Sequence, residues 1–159
     1  MPEQSLRTFD LGAILRLRGL VPGSYVLILA LRRDRILRVG RLGEFRLRRG
    51  TYLYAGSAMC GLRQRVSRHL SPSKTPHWHV DYLLERAEVV GVLALASPAR
   101  LECAMAKALA ELPGAEQPIP RFGASDCRCS SHLVWLPRRP RTAELVAAVA
   151  MAAQLSRSQ

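Results

Sequence analysis

With 159 residues, 48% of them apolar, the chain can bury one good core and leaves no room for a second domain of ordinary size. Its net charge of +12 is carried almost wholly by arginine, Lys74 and Lys107 being the only lysines, which favours a polyanionic partner because neutralised phosphates release condensed counterions. No apolar run reaches spanning length, so a membrane-spanning role is excluded.

Met1-Pro2-Glu3-Gln4 lacks the basic, apolar and small-residue regions of a signal peptide. The expected location is therefore the cytoplasm, close to the nucleoid in a bacterium or archaeon, with its cysteines reduced. The mixed pattern from Leu11 to Arg18 is compatible with a helix or an extra strand. Val21-Pro22-Gly23 turns into a first strand, in which Tyr25 to Leu31 alternates with period 2. Arg35 to Val39 and Glu44 to Leu47 form two arms of a hairpin around Gly40 and Gly43, leading to a strand at Thr51-Tyr52-Leu53-Tyr54. From Gly61 the period becomes helical: Leu62, Val66 and Leu70 make an apolar stripe, and Arg65, Arg68 and His69 share another face.

Thr75-Pro76 has the form of a cap followed by proline, predicting a helix from Pro76 to about Glu85. A strand follows from Ala87 to Ala96. Ser97-Pro98 repeats the cap-and-proline start for a helix to Leu112. Pro113-Gly114 stops it, His132 to Leu136 is a short strand, and Thr142 caps a last helix ending near Gln154. The fold class expected is α/β in the α+β sense, a small, mainly antiparallel sheet flanked by helices in one domain, with its core at about 20–137 and its C-terminal helix at about 142–154.

Gly23-Ser24-Tyr25, Tyr54-Ala55-Gly56 and the basic helix with Arg65 and His69 resemble the GIY-YIG nuclease superfamily, whose namesake tripeptides lie on adjacent strands. The resemblance is closer to a branch of unknown function found alone or joined to endonuclease III-type glycosylases. It extends over Gly56-Ser57-Ala58, His77 to Leu83, Glu102-Cys103 and Phe122 to Leu133. The separation of the tripeptides predicts a longer hairpin or inserted strand between Arg32 and Arg49. The resemblance implies a metal-dependent DNA endonuclease, active in repair or recombination and associated with DNA-repair proteins. It also implies Tyr25 or Tyr54 as general base or water-orienting group, Arg65 on the scissile phosphate, and Glu102 as ligand of a single Mg2+ or Mn2+.

The residues themselves support parts of that reading. On a helical wheel Leu101, Met105, Ala108, Leu109 and Leu112 form the core stripe with Glu102 on its edge, so Glu102 alone in that helix can face a pocket. One carboxylate with phosphate oxygens and waters suits magnesium. Either tyrosine, with an ordinary pKa of about 10, needs help from a metal or from arginines to act as base; alone, each reads as a half-buried strand tyrosine. His69 assists proton transfer, binds phosphate, or is a surface histidine. Ser57, Arg63, Arg68, His77 and His79 are the further candidates for DNA contact, with Trp78 expected in the core.

Cys60 and Cys103 read as small apolar fillers. Cys127, Cys129 and His132 are ligand types that zinc favours, with Asp126 or Cys103 available to complete a site. Their spacing is tighter than the usual knuckle, which ranks zinc below a polar turn tying the loop to the sheet. No asparagine occurs in the chain, although the resembled superfamily often ends its active-site set with one. This keeps a second reading open, a nucleic-acid-binding module without strong catalysis. Oligomeric state is not legible.

Overall fold

The computed structural model describes residues 7–158, so the reading of Met1 to Gln4 as lacking a leader lies outside the described residues. Five strands form an antiparallel sheet in the order β1-β6-β2-β5-β7, built from β1 (Thr8–Asp10), β2 (Gly23–Leu31), β5 (Gly50–Ala58), β6 (Glu88–Ala96) and β7 (Leu133–Leu136). A separate two-stranded hairpin, β3 (Arg35–Val39) and β4 (Gly43–Leu47), fills the segment between β2 and β5, as the separation of the tripeptides predicts. Among the described residues the α-helices are α1 (Leu11–Leu15), α2 (Leu62–Leu70), α3 (His79–Leu84), α4 (Glu102–Ala110) and α5 (Thr142–Arg157). The ambiguous stretch from Leu11 to Arg18 thus carries a helix, preceded by strand β1, with Asp10 capping α1 through a bond from the Ala13 amide (2.8 Å).

Strict alternation in the central strands sorts their side chains into two apolar layers. Tyr25, Leu27, Leu29 and Leu31 of β2 join Tyr52, Tyr54 and Ala58 of β5, Leu62 and Val66 of α2, and Val80 and Leu83 of α3 on one face. Val26, Ile28, Leu53 and Ala55 turn the other way, onto Leu101, Met105, Ala106 and Leu109 of α4 and onto α5. Burial on both faces explains why β2 reads as an almost unbroken apolar run. No helix among the described residues is long and apolar enough to cross a membrane.

Four local expectations need correction. Strand β5 continues through Gly56 and Ser57 to Ala58, in full register with β2 from Gly23↔Ala58 to Leu31↔Gly50, so these residues do not mark a strand end. Helix α3 begins at His79 rather than Pro76, because the Asp81 carboxylate reaches back to the amides of His77 (2.8 Å) and Trp78 (2.9 Å). Helix α4 begins at Glu102 rather than at Ser97-Pro98: the Ser97 hydroxyl is used by the Ala99 amide (3.1 Å), and the Leu101 amide is taken by Ser24 Oγ of β2 (2.9 Å). In α2, His69 is buried and Leu70 exposed, the reverse of the expected stripe, because α3 packs beside His69 through Asp81.

Gly56 has a tertiary reason to be glycine. A Cβ there would lie 2.6 Å from the Tyr25 hydroxyl and 3.1 Å from Tyr54 Cε1. Because the Tyr25 ring is rigid and its hydroxyl is tied to His69, Gly56→Ala should cost about 1–3 kcal/mol of stability. Urea unfolding would check this, and an unchanged midpoint would contradict the packing described.

Candidate functional site

Strands β2 and β5 set Tyr25 and Tyr54 on one face, ring centroids 6.4 Å apart. Helix α2 covers them and contributes His69 and Arg65. The Tyr25 hydroxyl is 2.7 Å from His69 Nε2. His69 Nδ1 is buried without a hydrogen-bond partner and lies 3.9 Å from Asp81 Oδ1. Asp81 is held by two bonds from the Arg68 guanidinium, at 2.9 and 3.0 Å. A line Tyr25, His69, Asp81, Arg68 therefore crosses from the sheet through α2 to α3.

The electrostatics follow from burial. Desolvation pushes the Tyr25 phenol up to about 12, against the lowering effect of Arg65, and raises Tyr54 well above its usual range. Both are neutral phenols near pH 7. Burial lowers His69 to about 4, with Asp81 opposing, so its imidazole is neutral. Burial alone would raise the Asp81 carboxyl, but bonds from Arg68 and the His77 and Trp78 amides outweigh it and hold the group below the usual range.

His69 makes stability depend on pH with a definite sign. The unfolded chain takes up this proton near 6.5 and the folded chain only near 4. Its contribution is complete above the unfolded value and is lost as pH falls through that interval, by ~3 kcal/mol in all. Urea midpoints should drop between pH 6.5 and 4.5, and drop less in His69→Gln. Equal slopes in the two proteins would contradict a buried neutral His69, since the depressed His79 and His132 contribute to both.

Arg65 joins this face to the other. Its guanidinium donates to the Ser57 carbonyl (3.0 Å), lies 4.1 Å from the Trp78 ring centre, and faces Tyr25. Across the sheet the Ser57 hydroxyl donates to Glu102 Oε2 and lies 2.7 Å from Ser24 Oγ, which accepts from the Leu101 amide. Glu102 is thus fixed by a short relay of hydroxyls. Its side chain is 17% exposed, and Oε1 lies 3.9 Å from the Arg100 guanidinium.

The predicted residues therefore form two groups rather than one. Tyr25, Tyr54, Arg65 and His69 cluster on the α2 face, Glu102 stands on the α4 face, and Ser57 connects them. Tyr54 feels Arg65 and Glu102 together, and Arg65 also acts on Tyr25. Arg63 and His77 are exposed. Arg68 is engaged by Asp81 and His79 Nδ1 accepts from the Gly123 amide (2.8 Å), so both serve the fold. Trp78 is only partly buried, between Arg65 and Arg68. Sequence reasoning missed Asp81 as a site residue; its signal was the buried carboxylate one turn into a helix that faces two arginines.

Beside Glu102 the structure corrects the reading of the cysteines. Cys103 is not an isolated filler: Cys103, Cys127, Cys129 and His132 bring one ligand atom each within 4.8 Å of all the others. This set could hold a metal ion, and three thiols with one imidazole suit zinc better than magnesium. A shallow pocket lined by Arg100, Glu102, Cys103, Asp126, Cys127 and His132 opens beside it. Burial raises the Cys103 and Cys129 thiols, with the neighbouring sulfurs acting on both, and lowers His132.

Fold and site together define a mixed α/β domain with a buried tyrosine-histidine cluster on one face of its sheet and a metal-ligand cluster on the other. Residues 24–155 match the model of a domain of unknown function, DUF123, and the chain belongs to that family. No curated protein and no solved structure matches it. The match overturns the resemblance to the GIY-YIG nuclease superfamily, since the family is one of unknown function and nothing links it to those nucleases. Both tripeptides have a local explanation. Gly23 lies where a Cβ would be 2.4 Å from the Leu95 carbonyl, and Gly56 lies under the Tyr25 ring.

Proposed function

We propose that the chain is a divalent-metal-dependent endonuclease hydrolysing phosphodiester bonds in DNA. The observation that supports this reading is Ser57, whose carbonyl receives Arg65 and whose hydroxyl donates to Glu102: one residue holds a cation suited to a phosphate and a carboxylate suited to a metal. The net charge of +12 supports a polyanionic substrate.

Glu102 suits the role of magnesium ligand because Ser57 fixes one oxygen while the other stays open to the pocket. A bound Mg2+ would supply Lewis-acid stabilisation of the phosphoryl charge. Arg65 would meet a non-bridging oxygen with the guanidinium N–H groups that Ser57 leaves free. Tyr54, which feels both Arg65 and Glu102, would orient the attacking water. Being a neutral phenol, Tyr25 would act only as a relay, taking the proton of the attacking water as it passes its own to His69 Nε2, with the Asp81 carboxylate beside the imidazole. Water would add to phosphorus as the P–O3′ bond breaks, and the proton taken from that water would return through solvent to the leaving O3′, giving 5′-phosphate and 3′-hydroxyl ends.

A second reading, a nucleic-acid-binding module without catalysis, is favoured by the burial of both phenols, Tyr25 at 1% and Tyr54 at 6% exposure. Incubation with single-stranded, nicked and branched DNA in Mg2+ or Mn2+ tests the choice. Metal-dependent cleavage that is weakened in Tyr54→Phe supports the nuclease. Salt-sensitive binding without cleavage on every substrate overturns it in favour of the module.

A further inference from the structure

We propose that Cys103, Cys127, Cys129 and His132 bind one structural zinc ion, which staples the segment before β7 to the first turn of α4. The inference does not depend on the nuclease reading.

Geometry carries it. Cys103 Sγ lies 3.7 Å and Cys127 Sγ 3.5 Å from His132 Nε2. A tetrahedral zinc with bonds of about 2.3 Å to sulfur and 2.0–2.1 Å to nitrogen sets these edges at about 3.6 Å. All four cysteines of the chain are free, and three of them meet at this point with one histidine although 29 residues separate Cys103 from His132. A neutral pair of fillers needs no such meeting. Three thiols and an imidazole also complete a coordination shell, leaving no vacancy for substrate, which is the pattern of structural rather than catalytic zinc.

The loop is preformed for the task. Arg121 adopts φ 64° and donates to the carbonyls of Cys129 (2.6 Å), Cys127 (2.6 Å) and Ala124. Its guanidinium thereby gathers the backbone of the loop from outside. Cys127 and Cys129, two apart, can send their side chains to the same side of an extended stretch, so the tight spacing that argued against zinc is compatible with it. His132 presents Nε2 to the sulfurs, and its carbonyl accepts from the Ala55 amide of β5 (3.1 Å), which ties the ligand to the central sheet.

The ion would also govern Glu102. Cys103 follows it directly in the first turn of α4, and the segment from Glu111 to Ser131 contributes no helix or strand of its own. Without the metal, the Ser57 hydroxyl and the Arg100 guanidinium would be left to hold that carboxylate.

The test is metal content and cobalt spectroscopy of the full chain, reduced and kept anaerobic. Purified protein should carry about one zinc per chain. Exchange with Co2+ should give the intense visible bands of a tetrahedral site and thiolate-to-cobalt charge transfer. Cys103→Ser should lose metal affinity by about 100-fold or more, while Cys60→Ser, which changes an exposed and remote thiol, should keep both zinc and spectrum. Wild-type chain that contains no zinc and develops no tetrahedral cobalt bands overturns the proposal. Charge-transfer intensity unchanged in Cys103→Ser does so too. The wild-type spectrum needs no variant to fold.

Discussion

Asp81→Ala is expected to lower stability by about 3–5 kcal/mol, enough to leave many domains of this size largely unfolded. The carboxylate is 1% exposed and accepts four hydrogen bonds, two from Arg68 and one each from the His77 and Trp78 amides. Removing it strands a half-buried guanidinium and two amides at the start of α3, and each unsatisfied group carries its own desolvation cost. Asp81→Asn keeps one acceptor oxygen but turns donors toward Arg68, so an intermediate loss is expected. Denaturant unfolding at pH 7.5 separates these outcomes. A loss below about 1 kcal/mol would show Arg68 and Asp81 to be an ordinary surface pair.

Glu102→Gln should reduce DNA cleavage by on the order of 10²–10³-fold or more while leaving DNA affinity and its salt dependence unchanged. The amide keeps the shape of the side chain and an oxygen for the Ser57 hydroxyl, so the fold should stand. It loses the anionic oxygen that faces the pocket, the atom a divalent cation requires. The arginines proposed to meet a DNA backbone are untouched, and on that proposal they would set the slope of log affinity on log salt. Cleavage equal to wild type at saturating DNA would remove Glu102 from the mechanism.

Much of the sheet was legible because its signal is local. The apolar stretch from Tyr25 to Leu31, and the hairpin around Gly40 and Gly43, mark strands with no knowledge of partners. The starts of α3 and α4 were not. Ser97-Pro98 has the form of a cap, yet Ser24, 77 residues away, binds the Leu101 amide and sets where α4 begins. Asp81 does the same for α3 from inside the helix. The burial of His69 likewise depends on α3, which the helical wheel of α2 cannot contain.

The site shows the same division. Periodicity put Glu102 on the edge of the core stripe and both tyrosines on strand faces, and the structure agrees. Periodicity could not say that the tyrosines and Glu102 lie on opposite faces of the sheet, because that depends on which layer each helix packs against. Nor could spacing reveal the cluster of Cys103 with Cys127, Cys129 and His132. Its ligands come from a helix, a loop and the approach to a strand, so no short pattern contains them. The tripeptide glycines were read as a family signature, whereas their packing against Leu95 and Tyr25 accounts for them within this fold.

The most direct measurement is the position of a Mn2+ ion, standing in for Mg2+, in crystals of the chain with a non-cleavable DNA strand. Its anomalous signal should lie about 2.1 Å from Glu102 Oε1, apart from any zinc at the cysteines, with a DNA phosphate between it and Arg65. Manganese bound elsewhere, with the phosphates remote from Arg65, would contradict the account.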